Sequence, residues 1–240
     1  MPAHWKKALQ GLWFLERQIQ YNTAIAKEGL SNDWGANIGS TLLMNYGNDI
    51  KVEAKAWAAA GSDARMNGCE LPAVILSGSG NQGITATMPV LVYAEHLGST
   101  HEQLYRALVL SDLVTIHQKT GIGSVSAFCG AVCAGVGAGC GIAYLQGADY
   151  DVICHTIVNA LAILSGMLCD GAKSSCAAKI SAAVDAGIMG YTMYASGQQF
   201  YGGDGIVKKG VERSISSVCT VARDGMRETN DLILEVMLQK

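Results

Sequence analysis

Hydrophobic positions recur at helical spacing along most of the chain. After Ser99-Thr-His-Glu102, the apolar or small residues at 104, 107, 108, 111 and 114 follow the i, i+3, i+4 pattern of an amphipathic helix. Ser99 and Glu102 have the spacing of a capping box, which places a helix at about 100–118. Similar patterns predict helices at 4–27, 84–96, 124–144, 150–168, 173–194 and 211–238, the last with a break near Thr229. The best strand candidate, residues 73–76, is short enough to be a buried extended segment instead.

Two long stretches contain no Asp, Glu, Lys or Arg. They are residues 120–148 and 152–169, separated by a polar gap with Asp149 and Asp151. The gap is short for a return between two membrane spans, and the first stretch is rich in Gly, Ala and Ser rather than in Leu and Ile. We therefore expect two buried, uncharged central helices in an all-α, mostly helical single domain over residues 1–240, and no membrane span.

Composition narrows the functional classes. Half of the 240 residues are hydrophobic and 15% are charged, which favours a large core over disorder. With 20 acidic and 17 basic residues the net charge is −3, so binding to nucleic acid through a basic face is not expected. The eight cysteines are too sparse for a disulfide scaffold, and no export signal is evident. These features predict a cytoplasmic protein with reduced thiols.

A glycine-rich loop precedes the helix predicted at 84–96. It reads Ser77-Gly78-Ser79-Gly80-Asn81-Gln82-Gly83 and contains the Gly-x-Gly-x-x-Gly pattern of dinucleotide-binding proteins. A dinucleotide-binding fold also needs alternating strands, which the sequence lacks, so this interpretation is the weaker one. Backbone amides at a helix N-terminus attract anions such as carboxylates, and we expect an anion site here. The alternative is a turn that only joins two helices.

Charged residues and cysteines supply further candidate chemistry. Arg65 is suited to bind a substrate carboxylate with Asp63 holding it in place, although a structural ion pair explains both residues as well. Cys129, Cys133 and Cys140 fall on one helix face, which fits iron–sulfur or zinc ligands or simple core packing. Two lysines close to Cys169 and Cys176 are candidates to lower a thiol pKa or to act as a base; they are Lys173 and Lys179. Lone histidines are more often structural than catalytic.

Four motifs in one order resemble a known family. They are Gly61-Ser-Asp-Ala-Arg-Met66, Ser77-Gly-Ser-Gly-Asn-Gln-Gly-Ile-Thr-Ala-Thr-Met-Pro-Val90, Ser126-Ala-Phe-Cys129 and Gly166-Met-Leu-Cys-Asp-Gly-Ala172. Together they are similar to the iron–sulfur L-serine dehydratase α-chain and L-cysteine desulfidase family, and the similarity covers nearly the whole chain.

The resemblance implies an enzyme that eliminates hydrosulfide or hydroxide from L-cysteine or L-serine. It implies a [4Fe–4S] cluster without pyridoxal phosphate, held by Cys129, Cys169 and Cys176, and it makes Lys173 our candidate for the base. The substrate-binding candidates are the loop residues Ser77, Gly78, Ser79, Gly80, Asn81 and Gln82, together with Arg65 and Asp63.

Desulfidase-type members of the family have an N-terminal region that supplies a cluster cysteine and has no counterpart here. The chain is therefore expected to be one subunit of a split enzyme, a fragment or a cluster-less relative. We expect it to form a homo-oligomer or to pair with a partner that carries the N-terminal region. A non-catalytic partner subunit is the alternative function.

Overall fold

The computed structural model describes residues 13–47, 49–123 and 126–239, and within them it is helical without any β-sheet. Ten α-helices follow one another within these ranges, with a short π-helical segment at Val221–Gly225. They are α1 (Trp13–Ser31), α2 (Ile38–Tyr46), α3 (Ile50–Met66), α4 (Gly80–His96), α5 (His101–Ile122), α6 (Gly130–Leu145), α7 (Tyr150–Ile163), α8 (Ser175–Ala195), α9 (Val211–Thr220) and α10 (Arg227–Leu238). The all-α prediction is confirmed.

Helix α6 lies at the centre of the fold. Every residue from Ala131 to Ala143 is buried, and α6 packs against α4, α5, α7 and α8. The second uncharged run forms α7, which is buried at Thr156–Leu161. The first run was therefore assigned correctly to the core along α6, whereas the second is buried only in the middle of α7, and Ile163 and Leu168 are 40% and 43% exposed. No helix in the described ranges is long and apolar enough to cross a membrane.

Several predicted boundaries were wrong. The sequence pattern missed α2, a helix of nine residues, and α3, a helix rich in alanine. Helix α7 ends at Ile163 rather than at 168, since the following residues pair with the segment before α6. The capping box lies one residue later than predicted, between Thr100 and Gln103. The helix predicted at 4–27 is α1, and its residues 4–12 lie outside the described part of the chain.

Two further predictions need correction at the local level. Residues 73–76 form no strand; Leu76 makes only an isolated bridge with Ser79. The break expected near Thr229 occurs earlier, where the π-helical segment ends and Met226 precedes α10.

A buried polar cluster joins α1, α4 and α5. Gln18 Nε2 donates to Thr87 Oγ1 at 2.8 Å and to Asp112 Oδ1 at 3.1 Å. Burial raises the pKa of Asp112 to about 6, and the hydrogen bond from Gln18 opposes this rise only in part. The native state therefore binds this proton more tightly than the unfolded chain does, so the stabilisation is fully present below about pH 4 and is lost as the pH rises through about 6.

Substituting Asp112→Asn is expected to stabilise the protein at neutral pH. Asparagine keeps an acceptor for Gln18 and has no charge to bury, so the free energy of unfolding should rise by about 1–3 kcal/mol at pH 7.5. At pH 4.5 most of this gain should disappear. Urea unfolding of both proteins at the two pH values measures the difference, and an equal gain at both would show that the pKa of Asp112 is not raised.

Candidate functional site

The loop before α4 is built around a tight two-residue turn. Leu76 and Ser79 exchange backbone hydrogen bonds of 3.1 and 3.0 Å around Ser77 and Gly78. Both central residues have positive φ, 48° and 85°, as in the type I′ turns of hairpins. Ser79 then begins α4 without a side-chain capping bond. The first amides of the helix are therefore available to an anionic ligand.

The glycines of this loop serve close packing. A Cβ at Gly83 would lie 1.9 Å from the carbonyl oxygen of Val74, and a Cβ at Gly80 would lie 2.4 Å from Nε of Arg65. Arg65 thereby lies across the start of α4, where its Nη1 donates to Oδ1 of Asn81 at 3.2 Å. The described residues contain no sheet, so the dinucleotide interpretation of the Gly-x-Gly-x-x-Gly pattern is wrong.

Two cysteines are brought together by a short antiparallel pairing. Phe128 and Leu168 form an isolated β-bridge, with Cys129 N–H donating to the carbonyl of Met167 at 3.0 Å and Cys169 N–H to that of Ala127 at 2.6 Å. The residues on either side of the bridge point to the same face, so both thiols lie on one side of it. Cys129 is also the residue that precedes the first turn of α6.

The two thiols are electrostatically unequal. The hydrogen bond donated by Cys129 lowers the pKa of Cys169 to about 6, and the same bond together with burial raises the pKa of Cys129. A salt bridge joins Lys179 to Asp170, and its hydrogen bond lowers the pKa of this carboxyl. Of these two thiols, Cys169 is thus the one that more readily becomes a thiolate, the form that binds metals.

A third cysteine approaches from the start of α8. Cys176 is half-buried; its thiol donates to the carbonyl of Gly171 at 3.4 Å and accepts from the backbone N–H of Lys173 at 3.5 Å. The positive φ of Gly171, 91°, turns the chain between Cys169 and Cys176. The compact loop therefore presents both cysteines to the same space.

All three cysteines line one cavity of about 290 Å³. The loop before α4, the start of α6 and the Cys169–Cys176 segment form its walls. The lining residues are Arg65, Met66, Ser77, Gly78, Ser79, Asn81, Gln82, Lys119, Ser126, Phe128, Cys129, Gly130, Ala131, Cys169, Gly171, Ala172, Cys176 and Ile180. The cavity therefore combines thiols with the N-termini of two helices and an arginine.

Two predicted site residues lie elsewhere, and a third, Gly80, belongs to the loop before α4 but does not line the cavity. The carboxylate of Asp63 accepts from the backbone N–H of Ile38 at 2.7 Å and of Ala36 at 3.4 Å, at the N-terminus of α2. It does not line the cavity, and it holds α2 rather than Arg65. Lys173 is exposed and is also absent from the cavity wall.

One cavity residue was missed from the sequence. Lys119 is 8% exposed, lines the cavity and donates from Nζ to the carbonyl of Gly123. Its position was a usable signal, because it is the last charged residue before the uncharged run that forms the core. Because the following run forms the central helix α6, the end of α5 that carries this lysine is buried.

The other cysteines of α6 do not contribute to the cavity. Cys133 and Cys140 are fully buried in the core, where burial raises the pKa of each thiol. Of the three cysteines predicted to share a helix face, only Cys129 reaches the site, since it precedes the helix. Among the described residues, no group of three or more His, Cys, Asp or Glu side chains forms a site for a metal ion.

The structure defines the class of the protein: it is an all-α domain whose central helix begins at a thiol-lined cavity. Comparison with known families is more specific: residues 2–235 match the model of the serine dehydratase alpha chain, and the chain belongs to that family. The resemblance noted from the four motifs is thereby confirmed. A comparison with the solved structures found no significant match.

Curated relatives carry the name UPF0597 protein. The chain is 62% identical over 226 residues to that of Desulfitobacterium hafniense (strain Y51), covering 94% of this chain and 53% of the relative. It is 56% identical to the protein of Lachnoclostridium phytofermentans, with 93% and 54% covered, and 52% identical to that of Finegoldia magna, with 94% and 54% covered. The chain thus spans about half the length of the curated relatives that it matches.

Proposed function

We propose that the chain is the cluster-bearing part of a lyase that eliminates hydrosulfide from L-cysteine, or water from L-serine. The observation that carries the proposal is the meeting of Cys129, Cys169 and Cys176 with the open N-terminus of α4 in one cavity. Thiolates are the ligands that iron–sulfur clusters require. The three thiols match such a cluster in kind and number, with one iron left for the substrate, although their arrangement in this structure is not one that would hold a single metal ion.

The cluster, when bound, would act as a Lewis acid toward the substrate's leaving group. The chain's own residues bind and orient the amino acid. Arg65 and the first amides of α4 would hold its carboxylate, with Asn81 fixing the guanidinium in place. Removal of the α-proton and departure of hydrosulfide or hydroxide would yield aminoacrylate, which hydrolyses to pyruvate and ammonia.

Lys173, the candidate from the sequence for the base that takes the α-proton, is exposed and lies outside the cavity wall. Lys119 is the buried lysine of the cavity wall and adds positive charge opposite the carboxylate. Such a cavity wall favours an amino acid as its ligand. The amino acid carries an anionic carboxylate beside the polarisable atom that leaves.

We further propose that the site is completed by a second polypeptide or region. The relatives are about twice as long as the matched segment, and apolar side chains are exposed near the cavity: Ile75 is 63%, Leu168 43% and Leu71 41% exposed. Exposed apolar groups of this kind mark surfaces that other protein covers. The lone chain is expected to show little or no turnover.

Anaerobic reconstitution with iron and sulfide tests this function. The chain is expected to bind iron and sulfide and to gain the visible absorbance of iron–thiolate bonds, while pyruvate release from L-cysteine and L-serine stays low. Adding the remaining half of a relative as a separate polypeptide should raise pyruvate release. A chain that binds no iron would refute the cluster assignment, and full turnover by the lone chain would refute the need for a partner.

A further inference from the structure

Among the residues that line the cavity, Gln82 has a buried side-chain polar atom without a hydrogen-bond partner. Its side chain is 5% exposed, and Oε1 is buried with no hydrogen-bond partner. A buried amide oxygen without a partner costs roughly 1–3 kcal/mol, so native proteins seldom keep one unless a ligand or water supplies the donor. The position of Gln82 in the cavity makes a ligand the natural donor.

The fold holds this amide at the start of α6. A Cβ at Gly130 would lie 2.6 Å from Nε2 and 3.2 Å from Oε1 of Gln82. Glycine at 130 therefore leaves the space that the amide occupies, beside the first residue after Cys129. The terminal torsion of glutamine is broad, so the oxygen can turn toward a ligand without leaving this space.

Donors dominate the rest of the polar wall. Arg65 and Lys119 are cations, and the first turn of α4 offers N–H groups. Such a wall suits a carboxylate; to a substrate's amino group, which needs acceptors, its side chains offer the hydroxyls of Ser77 and Ser79 and the amide oxygens of Asn81 and Gln82. Asn81 Oδ1 already accepts from Arg65, whereas Gln82 Oε1 accepts from nothing.

We propose that Gln82 Oε1 accepts a hydrogen bond from the α-amino group of the substrate and so makes the site select α-amino acids. The inference rests on the proposed function and adds a specificity residue to it. The corresponding acids without the amino group, 3-hydroxypropionate and 3-mercaptopropionate, would leave Oε1 unpaired. A hydrogen bond to a charged group predicts a preference of roughly 10- to 100-fold for the amino acid.

The test compares binding of matched pairs under anaerobic conditions. Dissociation constants of L-serine against 3-hydroxypropionate, and of L-cysteine against 3-mercaptopropionate, are measured by ligand-observed NMR on the reconstituted chain. The wild type should prefer the amino acid in at least one pair. Gln82→Met, which keeps the length and removes the acceptor, should bind both members of that pair with similar affinity.

Two variants separate this role from packing. Gln118 is 1% exposed and also has an unpartnered Oε1, but it does not line the cavity, so Gln118→Met should retain the preference. Gln82→Glu keeps an acceptor oxygen and should retain it as well. Loss of the preference in both Gln82 variants would assign the effect to packing and overturn the proposal.

The outcomes also distinguish this inference from the proposed function. If the wild type binds neither acids nor amino acids, both alone and with the remaining half of a relative added, the substrate class itself is wrong and the inference falls with it. If the wild type binds both members of each pair equally, the function stands and the role of Gln82 is refuted, with a water then satisfying Oε1. A preference that survives in Gln82→Met refutes the role in the same way.

Discussion

Replacing Cys169 with serine is expected to abolish both cluster binding and lyase activity. Cys169 is the cavity thiol whose pKa is lowered, to about 6, by the hydrogen bond from Cys129. A serine hydroxyl is a hard oxygen that stays protonated at neutral pH, so it cannot take the place of a thiolate on iron. Loss of several kcal/mol of Lewis-acid catalysis corresponds to a decrease in turnover on the order of a thousandfold.

Cys154→Ser is the matched control for this variant. Cys154 is another free, half-buried thiol, and it lies in a separate cavity beside α7. Its replacement should leave iron content and pyruvate release unchanged in the protein assembled with its partner region. Iron and sulfide per chain are measured beside activity, and Cys169→Ser protein that keeps full iron and turnover would show that Cys169 is not a ligand.

The central part of the fold was predictable because its sequence signal is strong. A long run without charges that is rich in Gly, Ala and Ser favours a core, and the glycines of α6 indicated close neighbours. Helices α2 and α3 were missed because no comparably strong sequence signal marks them. Helix α2 begins after Asn37, whose φ is 51°, and its N-terminal amides are held by Asp63 from α3. That contact joins distant residues and leaves no local pattern.

The cysteines of the candidate site were predictable from the sequence, whereas the charged residues around them were predicted less well. The resemblance supplied Cys129, Cys169 and Cys176, and the structure places all three in one cavity. Asp63 and Arg65 are two residues apart on one helix, so their side chains diverge, and only Arg65 reaches the loop. Lys119 is placed in the cavity by the packing of α5 against α6, and its position just before the uncharged run was the only sequence signal for that burial.

Glycines determine how closely the helices around the site can pack. A Cβ at Gly135 of α6 would lie 2.3 Å from the carbonyl oxygen of Ala183 in α8, and one at Gly139 would lie 2.5 Å from that of Gly187. On another side of α6, a Cβ at Gly137 would lie 2.4 Å from the carbonyl oxygen of Ser111 in α5. Backbone therefore contacts backbone on two sides of the helix that begins at Cys129.

Gly135→Ala is expected to destabilise the protein severely. The obstructing atoms belong to the backbone of α8, so no side-chain rotation relieves the overlap and the two helices must separate. Overpacking against rigid backbone costs about 3 kcal/mol or more, and the roughly 1 kcal/mol that alanine gains over glycine in a helix offsets part of it, so the net loss is about 2 kcal/mol or more. For a chain of this size the melting temperature should fall by at least roughly 4–8 °C.

Gly166→Ala provides the control for this prediction. Gly166 is exposed, its φ is not in the left-handed region, and an added Cβ there would meet nothing within 4 Å. Its replacement should change the free energy of unfolding by less than about 0.5 kcal/mol. Urea and thermal unfolding of the two variants and the wild type measure the contrast. If Gly135→Ala unfolds like the wild type, α6 and α8 do not make the backbone contact that brings Cys129 and Cys176 to one cavity.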